Sequence, residues 1–208
     1  MNQQYDPDRL ARRLFLETGL EFSGKRGIEG GNDFLEFHTI HPPSPNGFAI
    51  RLTFHWKRIE LIFIPDNYSR DIIRSLGRTE EGIIIFRALI RKIIESSGKT
   101  ELKVNNTPID PEYLNFSEEP WGSFGLKIYF FTDDSISSDN QKAEGYIFGR
   151  ICEFTELLIS LLPLEEQDDI RITACYPEGE VIHQLVKKYE RSRLNRTACI
   201  AIHGCKCR

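Results

Sequence analysis

The chain of 208 residues has one methionine and two tryptophans. It lacks the sequences that announce common chemistries. There is no G-x-x-x-x-G-K-[ST] loop and no G-x-G-x-x-G behind a strand, so no standard phosphate cradle is written in it. There is no G-x-S-x-G elbow for a hydrolase serine. No repeat and no low-complexity segment occurs. Long hydrophobic runs are missing too. The most apolar stretch, 148–164, is broken by Arg150, Glu153 and Glu156 and is too short and too charged to span a bilayer. The start, MNQQYDPDRLARR, has no apolar core of a signal peptide. The five cysteines are an odd number. With no export signal, reduced thiols in the cytoplasm are the expectation.

What is present suits a globular body. A 40% hydrophobic and 28% charged composition is ordinary for a folded domain. A chain of this length buries a core without staples. The net charge of -4 gives no general attraction to nucleic acid. The charge is uneven, however. From Glu178 onward Lys187, Lys188, Arg191, Arg193, Arg196, Lys206 and Arg208 face only Glu178, Glu180 and Glu190. Such a basic end is either a solvated helix face or a surface for a polyanion.

Periodicity predicts the elements. Asp6-Pro7 caps a helix that ends before Gly19, with Leu10 and Leu14 on its apolar face. Phe34, Leu35 and Phe37 mark a strand, and HPPSPNG breaks the chain after it. Phe48, Ile50, Leu52 and Phe54 alternate, as do Ile59, Leu61 and Phe63, which predicts an antiparallel hairpin turning near Lys57-Arg58. SRDIIRSLG is a short helix. A longer one follows Thr79, with Ile83, Phe86, Ile90, Ile93 and Ile94 at helical spacing. TELKVNN and FGLKIYFF read as strands separated by a proline-rich acidic loop, 107–123. The longest helix runs from about Gln141 to Leu162, with Ile147, Ile151, Phe154, Leu158 and Leu161 on one face. IRITACYPEG reads as a last strand and turn, followed by a helical segment. Strands and helices do not alternate strictly. The expected class is therefore α+β: an antiparallel sheet with helices packed on one face, plus a C-terminal helical extension.

The isolated chemical groups carry little. His38, His41 and His55 have no evident further ligands, so surface or hydrogen-bonded histidines are expected rather than a metal site. The acids Asp110, Glu112, Glu118 and Glu119 read as a solvated loop. Cys152 and Cys175 sit in apolar surroundings, as inert thiols do. Trp121 either stacks on a base or plugs the core edge, and the plug is the expectation.

The final stretch, YERSRLNRTACIAIHGCKCR, is different. Arg191, Asn195, Arg196, Cys199, Ile200, His203 and Gly204 fall in the order R-x-x-x-N-R-x-x-C-I-x-x-H-G. This resembles the entry to an HNH endonuclease domain of the restriction-enzyme kind, where a C-x-x-C zinc knuckle then opens. Cys207 matches the first knuckle cysteine, and its partner would fall beyond Arg208. The resemblance covers roughly the last twenty residues. It implies an N-terminal recognition or interaction domain over 1–177 and a basic helical lead-in over 178–208 to an HNH domain that this chain does not include. Lys187, Lys188, Arg191, Arg193 and Arg196 would then contact DNA phosphates, weakly and with steep salt dependence. Zinc and a divalent metal are expected only in the HNH domain, and no cofactor in this chain. His203 belongs to the approach helix and is not the catalytic histidine. The chain by itself is expected to cut nothing. A homo-oligomer is compatible with this reading, and a membrane partner is not expected. The rivals are a non-catalytic protein-interaction or small-ligand module of a defence system, and an enzyme with its site around Asp110 to Trp121.

Overall fold

Asp6 starts the first helix as its sequence predicts. Its carboxylate accepts from the N–H groups of Asp8 (3.0 Å) and Arg9 (3.3 Å), Pro7 takes the first helical position, and Gly19 ends the helix in the left-handed region. A computed structural model describes residues 5–96, 98–132 and 140–162. Its elements are α1 (Pro7–Thr18), β1 (Phe22–Glu29), β2 (Asn32–Thr39), β3 (Phe48–Phe54), β4 (Arg58–Pro65), α2 (Arg70–Ser75), α3 (Glu80–Glu95), β5 (Gly98–Val104), β6 (Thr107–Ile109), a 3-10 turn (Pro111–Tyr113), β7 (Phe124–Phe131) and α4 (Asn140–Leu161). The strands form one seven-stranded sheet in the order β1-β2-β3-β4-β7-β5-β6, with every pairing antiparallel. The class is α+β, as expected.

Register divides the sheet into two unlike faces. Phe37 stands opposite Gly24 on one side and Ile50 on the other. Leu35, Leu52, Leu61, Ile128 and Thr100 form the neighbouring row. Because side chains alternate along a strand, each such row lies on one face. That face carries Phe22, Phe37, Ile50, Leu52, Leu61, Phe63, Leu126, Ile128 and Phe130, all buried in one core with Leu10, Leu14, Phe86, Ile90, Ile151, Phe154 and Leu158 of the helices. The helices lie together on this side. Arg9 and Arg13 of α1 both bond Glu144 of α4, Arg13 at 3.1 Å.

A close approach of α3 to α4 is set by a glycine. Thr79 caps α3 by accepting from the Gly82 N–H at 3.2 Å, and a Cβ on Gly82 would run into the Ser160 carbonyl of α4 and the capping hydroxyl. Alanine favours a helix over glycine by about 1 kcal/mol. The clash is with backbone, which cannot rotate away, so overpacking wins. Gly82→Ala is expected to destabilise by roughly 2 kcal/mol in urea unfolding. An unchanged midpoint would show that α3 and α4 do not approach this closely.

Two hairpins depart from the sequence expectation. The segment before Phe34 is strand β1, joined to β2 by Gly30-Gly31 with φ of 56° and 81°. The loop after Val104 turns on Asn105-Asn106, at 52° and 62°, and its start pairs back as β6. Two consecutive positive φ values match the right-handed twist of a hairpin, and Gly and Asn tolerate them best. The predicted β3–β4 hairpin, α3 and α4 stand as expected. Trp121 is 3% exposed and stacks on Phe124, a plug against the core. The last predicted strand, the terminal helix and the proposed boundary at 177 lie outside the described residues. Among the described residues no helix is long and apolar enough to cross a membrane.

Candidate functional site

The other face of the sheet is where chemistry-bearing side chains meet. No described helix packs against it, and its central row is mostly charged. Lys25 on β1, Glu36 on β2 and Arg51 on β3 stand directly opposite one another in register. Ile62, Lys127 and Glu101 continue the row across β4, β7 and β5. The local sequence explains the placement. Apolar residues fix the core face of each strand, so the intervening charged residues are forced onto the opposite one.

Glu36 is the centre of this cluster and is buried. Its Oε1 receives the Lys25 ammonium at 2.6 Å and the His38 Nε2 at 2.6 Å, and its Oε2 receives the Arg51 Nε at 2.5 Å. Arg51 extends its other arm to Glu29, also at 2.5 Å. Burial pushes the Glu36 carboxyl up, but hydrogen bonds from Lys25, Arg51 and His38, with the Arg51 charge, outweigh it and hold the group at about 2. The carboxylate is thus ionised near neutrality and only accepts, so His38 Nε2 carries the proton between them. A carboxylate this acidic is a weak base and is never a proton donor at neutral pH. The cluster fixes cations in place rather than moving protons.

Aromatic rings are interleaved with these charges. The Arg51 guanidinium lies 4.5 Å from the Phe34 ring centroid. Phe34 stands opposite Gly27, where a Cβ would collide with the ring, so the glycine gives the ring its space over β1. Farther along, the Arg58 guanidinium sits 5.1 Å and the Lys127 Nζ 5.7 Å from the Tyr129 ring centroid. Burial pushes the Tyr129 phenol up, so it stays a neutral hydroxyl. Glu60 lies 3.8 Å from Lys127 and 3.9 Å from His55. Among the described residues the buried His55 Nε2 has no hydrogen-bond partner.

The structure sorts the residues singled out from the sequence. His38 is a hydrogen-bonded histidine. His41 is exposed, 3.9 Å from Glu21. The three histidines do not converge, and among the described residues no group of three or more His, Cys, Asp and Glu is arranged to hold a metal. Asp110 accepts from the Glu112 N–H at 3.1 Å to start the 3-10 turn, and Glu112 lies 3.9 Å from Arg91, which are structural roles for the acidic loop. Cys152 is buried in the core. Lys187, Lys188, Arg191, Arg193, Arg196 and Cys207, with Cys175, Cys199, His203 and Cys205, lie outside the described residues. Sequence reasoning missed the Glu36 cluster because β1 was not recognised as a strand. The available signal was Gly30-Gly31 between KRGIE and NDFLEFH, a hairpin dipeptide flanked by residues that pair. No family model, no curated protein and no solved structure matches this chain.

Proposed function

We propose that this chain is the N-terminal DNA-recognition or partner-binding portion of an HNH-type restriction endonuclease and has no cutting chemistry of its own. The observation that carries this reading is the ordered set Arg191, Asn195, Arg196, Cys199, Ile200, His203 and Gly204. Lys187, Lys188, Arg191, Arg193 and Arg196 supply the phosphate contacts. The body contributes a sheet with one face that no described helix covers, bearing charges held in fixed positions, which suits recognition more than catalysis. Zinc and the divalent metal of HNH chemistry belong to the nuclease unit that follows the motif in this family. Cys207 alone offers one thiolate where a structural zinc takes four ligands, so no metal step is derived for this chain.

The test is binding of short duplex DNA by the whole chain at low and moderate salt. Binding is expected to be weak and to fall steeply with salt. Each phosphate contact contributes about 0.9 to the logarithmic slope, so replacing all five basic residues by alanine should flatten it by about 4.5. An unchanged slope would remove these residues from the contact. A second reading, a protein-interaction module, is favoured by the self-neutralising cluster of Lys25, Glu36, Arg51 and Glu29, which leaves little net charge for a polyanion. It gains if duplex DNA fails to bind at either salt. The coding sequence beyond Arg208 is a separate check. The endonuclease reading expects a cysteine at the second following codon and a histidine pair farther on.

A further inference from the structure

Trp56 is 91% exposed, which is unusual for the largest apolar side chain. It sits in the turn between β3 and β4, closed by the His55 N–H donating to the Arg58 carbonyl at 2.9 Å. The Thr132 N–H donates to the Lys57 carbonyl at 3.0 Å, which stitches the end of β7 to the same turn. Phe131, 60% exposed, stands opposite Arg58 in the β4–β7 register. Tyr129, two residues earlier on the same face, carries Arg58 and Lys127 over its ring. One end of the face that no described helix covers thus gathers Trp56, Phe131 and Tyr129 with Lys57, Arg58 and Lys127. Among the described residues Lys57 and Arg58 form no ion pair, whereas Lys127 reaches Glu60.

We propose that this end of the sheet binds a single nucleic-acid strand, with bases stacked on Trp56 and Phe131 and phosphates drawn by Lys57 and Arg58. The chemistry selects this partner. A ring standing in water gains most from another flat π face, and every unpaired base has one. A duplex hides those faces inside its stack. An apolar peptide segment needs a continuous hydrophobic groove, whereas these rings are separated by cations that favour phosphate. The contact is distinct from the one assigned to 187–196 and does not depend on it.

The whole chain also supplies the reporter. Trp121 is 3% exposed and stacked on Phe124, so quenching by a ligand at the surface reads Trp56. Oligo-deoxyuridine and oligo-uridine of about ten nucleotides are the probes, differing only in the sugar and of a length within the usual span of one such site. Either should quench Trp56 emission at low salt, and the tighter of the two identifies the sugar. Both variants lose the Trp56 reporter, so their affinity is read from the anisotropy of a fluorescein-labelled oligonucleotide: Trp56→Phe should keep it within about two-fold, because a ring remains, while Trp56→Ala with Phe131→Ala should weaken it about ten-fold or more. Both side chains are exposed, so circular dichroism should show unchanged folding. The proposal is overturned if neither oligonucleotide quenches Trp56, or if the double alanine variant binds as well as the parent. Alanines at Lys187, Lys188, Arg191, Arg193 and Arg196 separate the two sites. Loss of single-strand quenching in that variant alone overturns the sheet-end contact, and its retention supports it whatever becomes of duplex binding.

Discussion

Phe37→Ala should lower the unfolding free energy by about 3–5 kcal/mol, the range for emptying a buried phenylalanine site. Phe37 is fully buried on the core face of β2, between Gly24 and Ile50 in the sheet. With hydrogen on one side and a branched chain on the other, neither neighbour can swing in to fill the space. A domain of ordinary stability has about 5–15 kcal/mol in all, so the loss is a large share of it. Urea titration followed by circular dichroism should show a lower midpoint at nearly the same slope. A loss under about 1 kcal/mol would mean that β2 pairs one residue out of the register described.

Glu36→Gln, one residue away and on the opposite face, should cost about 2 kcal/mol near neutral pH. The amide keeps the shape but leaves Lys25, Arg51 and His38 facing a neutral group. Lys25 is 56% exposed and Arg51 25%, so both recover solvation and the loss stays below that of a fully buried pair. The pH dependence follows from the sign of the shift. The folded value is about 2 against an ordinary 4.5, so the ionised form is favoured by folding. That contribution is complete above about 4.5 and is lost as pH falls toward 2. The stability gap between parent and variant should therefore close across this window and stay constant above it. Denaturant titrations at several pH values measure the gap directly, and a gap that widens in acid would sink the assignment of Glu36 as an ionised hub.

The two variants show why sequence was informative on one side of the sheet and silent on the other. Phe48, Ile50, Leu52 and Phe54 recur at every second position, and so do Phe124, Leu126, Ile128 and Phe130, so the core face of these strands was legible. The long helices were legible for the same reason. Ile83, Phe86, Ile90 and Ile93 repeat at helical spacing, and all four are buried. Edge strand β1 escaped because FSGKRGIE has only Phe22 buried to mark a face. An edge strand with one helix beneath part of it needs little apolar surface, and glycine and charge then mask the period. The loop read as 107–123 concealed β6 for a similar reason, since three residues are too few to display alternation.

The sequence by itself determined the class of the protein, the cap at Asp6, the central hairpin, the two long helices and the motif at 191–204. These are local properties, set by backbone preference and by the spacing of apolar side chains along a single segment. The tertiary structure alone decided that Lys25, Glu36 and Arg51 share one carboxylate, and that Trp56 and Phe131 border the same end of the sheet. Residues so far apart in the chain meet only through strand register. Register is fixed by the requirement that every strand bury its apolar side at once, and no single strand contains that information.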